Sequence, residues 1–200
     1  MVKAIIFDIG DVIVNLKPIS EKVLKVFQPE DEEKFWGTVN TEAVPLCKGE
    51  ISLLHFWRTL AEKMGKSIPD HVLKDLWAKD CNTLVSFNEG MHEIINSLNQ
   101  TYKLAILSNT IDEHAKINEK LGIYELFDVI ILSHEVGLTK NEKEIFLLVA
   151  ETLRVIPEEC VFIDDVKKFI DVAHSVGMKA ILFKNAQQLK SDLQAFNVLV

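Results

Sequence analysis

The sequence predicts an α/β fold: a doubly wound parallel sheet interrupted by one long helical insertion. Three observations predict it. Short, continuously apolar runs recur, as expected of strands buried on both faces of a parallel sheet. Helical patterns alternate with those runs from Ser86 to Val200, the rhythm of βα units. Between the first two runs lie about 70 residues, Leu16 to Val85, with no convincing strand. A connection that long is not a plain βα loop and should form a layer of its own.

The first strand is Lys3–Phe7 (KAIIF). Later runs at Lys103–Leu107, Asp128–Leu132, Val161–Ile163 and Ala180–Phe183 supply the remaining strands. Ile94, Ile95 and Leu98 share a helical face, as do Ile145, Phe146, Val149 and Leu153. Val172, Ala173 and Val176 mark a helix closed by Gly177, a residue suited to the left-handed C′ position. Within the insertion, Ser52 opens a helix with Leu53, Phe56, Trp57, Leu60 and Met64 on one face, ended by Gly65. Pro69 and Asp70 open another, carrying Leu73, Leu76 and Trp77. Val23, Val26 and Phe27 indicate a third, broken before Pro29.

Composition excludes several classes. Of 200 residues, 48% are hydrophobic and 26% charged, ordinary for a globular protein. The net charge of −8 argues against nucleic-acid or anionic-membrane partners, which need clustered Lys and Arg. Cys47, Cys81 and Cys160 are odd in number and form no C-x-x-C pair, so neither a disulfide framework nor a zinc site is expected. Asp8 and Asp11 break the N-terminal apolar run and no small-residue cleavage site follows, unlike a signal peptide. No apolar stretch is long enough to span a bilayer. The expectation is a cytoplasmic protein.

Ligands in open parallel sheets bind beyond the carboxyl ends of the strands. Asp8, Gly10 and Asp11 follow the first strand. Ser108, Asn109 and Thr110 follow the second, Lys140 ends the loop after the third, and Asp164 and Asp165 follow the fourth. Two carboxylate clusters, a hydroxyl and a lysine thus converge on one edge. Neighbouring carboxylates repel unless a cation neutralises them. Oxygen ligands suit Mg²⁺. Such an ion polarises a phosphoryl oxygen and screens an attacking carboxylate. Each piece also has a plain reading: Asp8 as a helix cap, Ser108–Thr110 as a turn, Lys140 as a solvated charge beside Glu142, Lys143 and Glu144.

Four stretches in order resemble the haloacid dehalogenase superfamily, in the subclass with a small α-helical cap. They are FDIGDVIV at Phe7–Val14, LAILSNT at Leu104–Thr110, SHEVGLTK at Ser133–Lys140 and VFIDDVKKFIDVAHSVGM at Val161–Met178. The resemblance implies a core of residues 1–15 and 86–200 with a cap at 16–85. It implies Asp8 as nucleophile, Ser108 as phosphoryl ligand and Lys140 as the charge that stabilises it, with Asn109 also at the substrate. It implies a Mg²⁺ site from Asp8, the Gly10 carbonyl, Asp165 and Asp164, and a small phosphorylated metabolite as substrate. The oligomeric state is not implied.

The sequence departs from the family pattern in two places. Family phosphatases usually read Asp-x-Asp, the second Asp serving as general acid and base; here that place is Gly10. Asp11 comes one position late, which on extended backbone turns it to the other face unless a local turn swings it in. Asn141 follows Lys140 where proline is common. Two alternatives stand beside the phosphatase: a metal-independent dehalogenase, which needs a cap arginine such as Arg58, and a catalytically weak binding relative. His134 is expected at the surface. Lys48, Gly49 and Glu50 form a candidate cap loop reaching the site.

Overall fold

The computed structural model describes residues 1–76 and 86–199; Trp77, Cys81 and Val85 lie outside them. Five parallel strands form the sheet in the order β5-β4-β1-β6-β7. They are β1 (Ala4–Phe7), β4 (Lys103–Ser108), β5 (Val129–Leu132), β6 (Cys160–Asp164) and β7 (Lys179–Leu182). All five predicted strands form, with no end shifted by more than one residue. Side chains of β1 alternate between two cores, because successive strand residues face opposite ways. Ile5 and Phe7 join one apolar cluster and Ala4 and Ile6 the other. The first is closed by α5 (Met91–Leu98) and α10 (Ala186–Ala195), the second by α8 (Lys143–Leu153) and α9 (Lys167–Ser175). In α9 the buried residues are Ile170 and Ala173, whereas Val176 is the C-cap just past the helix. Gly177 follows at φ 93°, the left-handed position expected of it.

The chain leaves and re-enters this core through a two-stranded antiparallel ribbon, β2 (Val14–Asn15) against β3 (Ser86–Phe87). Between them run α1 (Lys17–Phe27), α2 (Glu32–Cys47), α3 (Leu53–Lys63) and α4 (Asp70–Asp75). These helices bury their own cluster, with Phe35, Phe27, Trp57 and Phe56 joined in that order by ring contacts. Helix α3 starts where Ser52 predicts, the Ser52 hydroxyl accepting from the His55 N–H at 3.3 Å. Helix α2 has no clear signal in the sequence, because Gly37 and Pro45 lie inside it and Thr38, Val39 and Thr41 are β-branched. Two further core helices were also not predicted, α6 (Asp112–Lys120) and α10. A short helix, α7 (Ser133–Val136), follows β5 directly. Among the described residues, no helix is long and apolar enough to cross a membrane.

Candidate active site

Register places the acidic residues. Phe7 lies opposite Ile106 of β4 and Ile163 of β6, so the next residues along the three strands are Asp8, Leu107 and Asp164. The Asp8 N–H donates to the Ile163 carbonyl at 2.9 Å, which holds Asp8 at the carboxyl edge beside Asp164. Ser108 ends β4 and is buried. The sequence-predicted residues therefore meet at one edge of the sheet.

Lys140 occupies the centre. Its ammonium is 2.8 Å from Asp8 Oδ1 and 2.6 Å from Asp164 Oδ2. Only 2% of Lys140 is exposed, so the reading of a solvated charge is corrected. The ring of Phe169 lies beneath the ammonium, its centroid 4.9 Å away. Burial pulls the Lys140 pKa down, but the negative charges of Asp164 and Asp8 outweigh burial and raise it, keeping the side chain cationic. The Asp164 Oδ1 accepts from the Val166 N–H at 2.8 Å. Burial and the Asp8 charge nevertheless push Asp164 up to about 6, against the opposing pull of Lys140. Asp165 is the solvent-facing member of the set. Crowding by protein atoms and the charges of Asp8 and Asp164 push it up to about 7.

Carboxylate oxygens of Asp8, Asp164 and Asp165 lie within 4.8 Å of one another. Burial is the main cause of the raised pKa values of Asp164 and Asp165, and the neighbouring carboxylate charges add to it against the pull of Lys140. An all-oxygen donor set with surplus negative charge fits a hard divalent cation such as Mg²⁺. Gly10, assigned a backbone ligand role, stands two residues beyond Asp8 and is half-buried.

The loops that carry Ser108 and Lys140 are tied together. The Asn109 Oδ1 accepts from the Lys140 backbone N–H at 2.9 Å, so Asn109 fixes the lysine. The Thr110 N–H donates to the Ser133 hydroxyl at 2.9 Å, and Ser133 donates back to the Thr110 carbonyl. Glu142 accepts from both the N–H and the hydroxyl of Thr139. The side-chain amide of Asn141, standing where proline is common, donates to the Thr139 hydroxyl at 3.2 Å. Sequence reading missed the positioning roles of Ser133 and Glu142. The Thr-x-x-Glu spacing of Thr139 and Glu142 was a usable signal; Ser133 offered none.

Position 10 is where the departure from the family pattern is felt. A Cβ built on Gly10 would stand 2.8 Å from Leu16 Cδ1, so an aliphatic side chain fills that space. Asp11 does not turn inward. It adopts φ 53°, and its Oδ1 accepts from the Leu16 N–H at 2.9 Å. Its charge still reaches Asp165, but its carboxylate is spent holding the turn.

The helical segment touches this edge. The Lys48 ammonium is 2.9 Å from Glu142 Oε1, which ties the end of α2 to the lysine loop. At Gly49, φ 75°, a Cβ would meet the His134 carbonyl at 2.8 Å, so only glycine allows this approach. Arg58, on which a dehalogenase depends, instead forms an exposed bidentate pair with Asp70.

Residues 2–177 match the family model for haloacid dehalogenase-like hydrolases. The chain belongs to that family. It is 25% identical over 193 residues to a phosphorylated carbohydrates phosphatase of Thermotoga maritima, covering 90% of this chain and 83% of that one. It is 26% identical over 210 residues to a D-ribitol-5-phosphate phosphatase of Bacteroides thetaiotaomicron, covering 96% and 97%. It also resembles the crystal structure of a family enzyme from the same bacterium in complex with magnesium and inorganic phosphate. There the TM-score is 0.69 at 27% identity, over 92% of this chain and 96% of the other.

Proposed function

We propose that this hydrolase is a Mg²⁺-dependent phosphatase that cleaves small phosphate monoesters through an aspartyl-phosphate on Asp8. The observation that carries the reading is the buried Asp8–Lys140–Asp164 constellation at the strand ends, with Asp165 completing an oxygen cluster. The phosphatase relatives, and the similar structure of a family enzyme in complex with magnesium and inorganic phosphate, support it. In this reading residues 1–15 and 86–200 are the catalytic core and residues 16–85 the cap.

Asp8 Oδ attacks phosphorus while its other contacts hold it in line. Lys140 stays charged throughout and balances negative charge on the phosphoryl oxygens. The Ser108 hydroxyl and nearby backbone N–H groups take the oxygens Lys140 does not reach. Asn109 keeps Lys140 in register through its backbone. Asp8, Asp164, Asp165 and the Gly10 carbonyl would hold Mg²⁺, which would supply the charge neutralisation that lets one anion approach another. Water then attacks the phosphorus of the aspartyl-phosphate and restores the Asp8 carboxylate. Gly10 provides no proton for the leaving group, an omission worth roughly 10²–10⁴ in rate where the leaving group needs one.

The test is phosphate release from acetyl phosphate with and without Mg²⁺, in wild type and Asp8→Asn. Release that needs the ion and disappears in Asp8→Asn is the expected result. Equal release by both proteins removes Asp8 as nucleophile and with it the mechanism.

A further inference from the structure

Two adjoining cavities lead from position 10 into the helical segment. The first, lined by Gly10, Ser108 and Leu16 among others, shares Leu16, Asn109, Thr110 and His114 with the second. The second has a volume of about 140 Å³. Its walls come from Leu16, Ala43, Leu46, Leu53, Phe56 and Trp57, and no Asp, Glu, Lys or Arg stands among its described lining residues. Asn109, Thr110 and His114 form its polar floor. Burial pushes His114 down to about 3, so the floor carries no charge at neutral pH.

Chemistry and shape agree on what fits. The space a proton-donating side chain at position 10 would enter is filled by Leu16, which also walls the second cavity. A leaving group in this direction must depart as its own anion. An alkoxide is the conjugate base of an acid about as weak as water. A phenoxide, to judge from tyrosine, corresponds to a pKa of about 10. An apolar cavity of roughly 150 Å³ holds a benzene-sized ring. A polyol chain would find polar partners only along the floor and leave its other hydroxyls unpaired against Leu, Phe and Trp.

We propose that this cavity is a leaving-group subsite for an uncharged single ring, making the substrate class small aryl phosphate monoesters. The proposal rests on the Asp8 phosphatase reading. An Asp8 oxygen bonds to phosphorus, and the P–O(aryl) bond breaks with its electron pair on the aryl oxygen. The aryloxide departs and takes a proton from solvent. A water oxygen then bonds to phosphorus and the P–O(Asp8) bond breaks. Inorganic phosphate and a proton are released and the carboxylate is restored.

The test compares kcat/KM for phenyl phosphate, 1-naphthyl phosphate and ribitol 5-phosphate, with acetyl phosphate as the ring-free reporter of Asp8 chemistry. Phenyl phosphate should exceed ribitol 5-phosphate by at least about 100-fold, the scale of a missing general acid. It should also exceed 1-naphthyl phosphate, whose second ring overfills the cavity. Ala43→Leu, which fills the cavity, should lower the phenyl-to-acetyl ratio about tenfold. If that variant does not fold, the phenyl-to-naphthyl comparison in wild type decides. Ribitol 5-phosphate or 1-naphthyl phosphate matching phenyl phosphate, with acetyl phosphate turnover intact, overturns the subsite and leaves the phosphatase reading standing. No Asp8-dependent release from any compound overturns both.

Discussion

Position 10 couples a backbone choice to a rate. With no side chain there, Leu16 Cδ1 stands in the space a side chain at position 10 would enter. The φ of Gly10 is not in the left-handed region, and the obstructing atom ends a flexible side chain, so Gly10→Asp requires a shift of the Leu16 side chain and no backbone change. It should raise kcat on alkyl phosphates by about 10- to 100-fold, part of the range general acid catalysis covers. Steady-state kinetics on ribitol 5-phosphate measure it, and no gain there would mean Leu16 keeps the new carboxylate out of reach. Lys140 permits a second prediction. Lys140→Met leaves Asp8 and Asp164 facing each other in the interior without their cation. Breaking such a buried set costs about 3–5 kcal/mol. Urea denaturation without Mg²⁺ should register that loss, and turnover should fall with it. That Asp8, Ser108, Lys140 and Asp164 gather at one edge was legible because each stands at the end of an apolar strand or on the loop that follows one. The burial of Lys140 was not, since the charges around it in sequence suit a solvated helix start. Nor was the place of Leu16, which depends on the left-handed turn at Asp11.

At the scale of elements, the described helices of the insertion divide by how strongly they are punctuated. Helix α3 was legible from its Ser52 cap, its apolar face and Gly65. Helix α2, the longest of them, carries Gly37 and Pro45 inside and is held by tertiary contacts of Phe35, Val39 and Leu46. Local propensity disfavours it, and only the assembled cluster makes it worthwhile. Helix α3 presents Leu53, Phe56 and Trp57 to the apolar cavity, so its first turn has a functional stake. Ser52→Ala removes the hydroxyl that accepts from the His55 N–H and should cost about 1 kcal/mol. Thermal unfolding measures it. A larger KM effect on phenyl than on acetyl phosphate would show the frayed turn being felt in the cavity.

The whole molecule is organised by the order of its strands. With β1 central between β4 and β6, the residues after three neighbouring strands must meet, and alternation of strands and helices alone predicts that edge. What alternation leaves open is how the helical segment sits over the edge. Long-range contacts such as Lys48 with Glu142, Gly49 with His134 and Ile111 within the helical cluster set that arrangement. His114 lies in the same region, lining both cavities, and it makes acid sensitivity a global property. Burial holds its folded pKa at about 3, against an ordinary value of 6.5. Above pH 6.5 the imidazole is neutral in folded and unfolded chains alike, and the full stability is present. As pH falls from 6.5 toward 3 the unfolded chain binds a proton that the folded chain refuses. Stability then falls, by at most about 1.4 kcal/mol per pH unit from this group. The raised carboxyl groups of Asp164 and Asp165 act with the opposite sign over part of that window. The informative quantity is therefore the difference between wild type and His114→Leu in saturating Mg²⁺. Urea unfolding of both proteins between pH 7 and pH 4 should give a difference that is constant at the upper end and shifts in favour of the variant below pH 6.5. Parallel curves throughout would mean that the folded protein admits a proton at His114, and that the floor of the cavity becomes charged in acid.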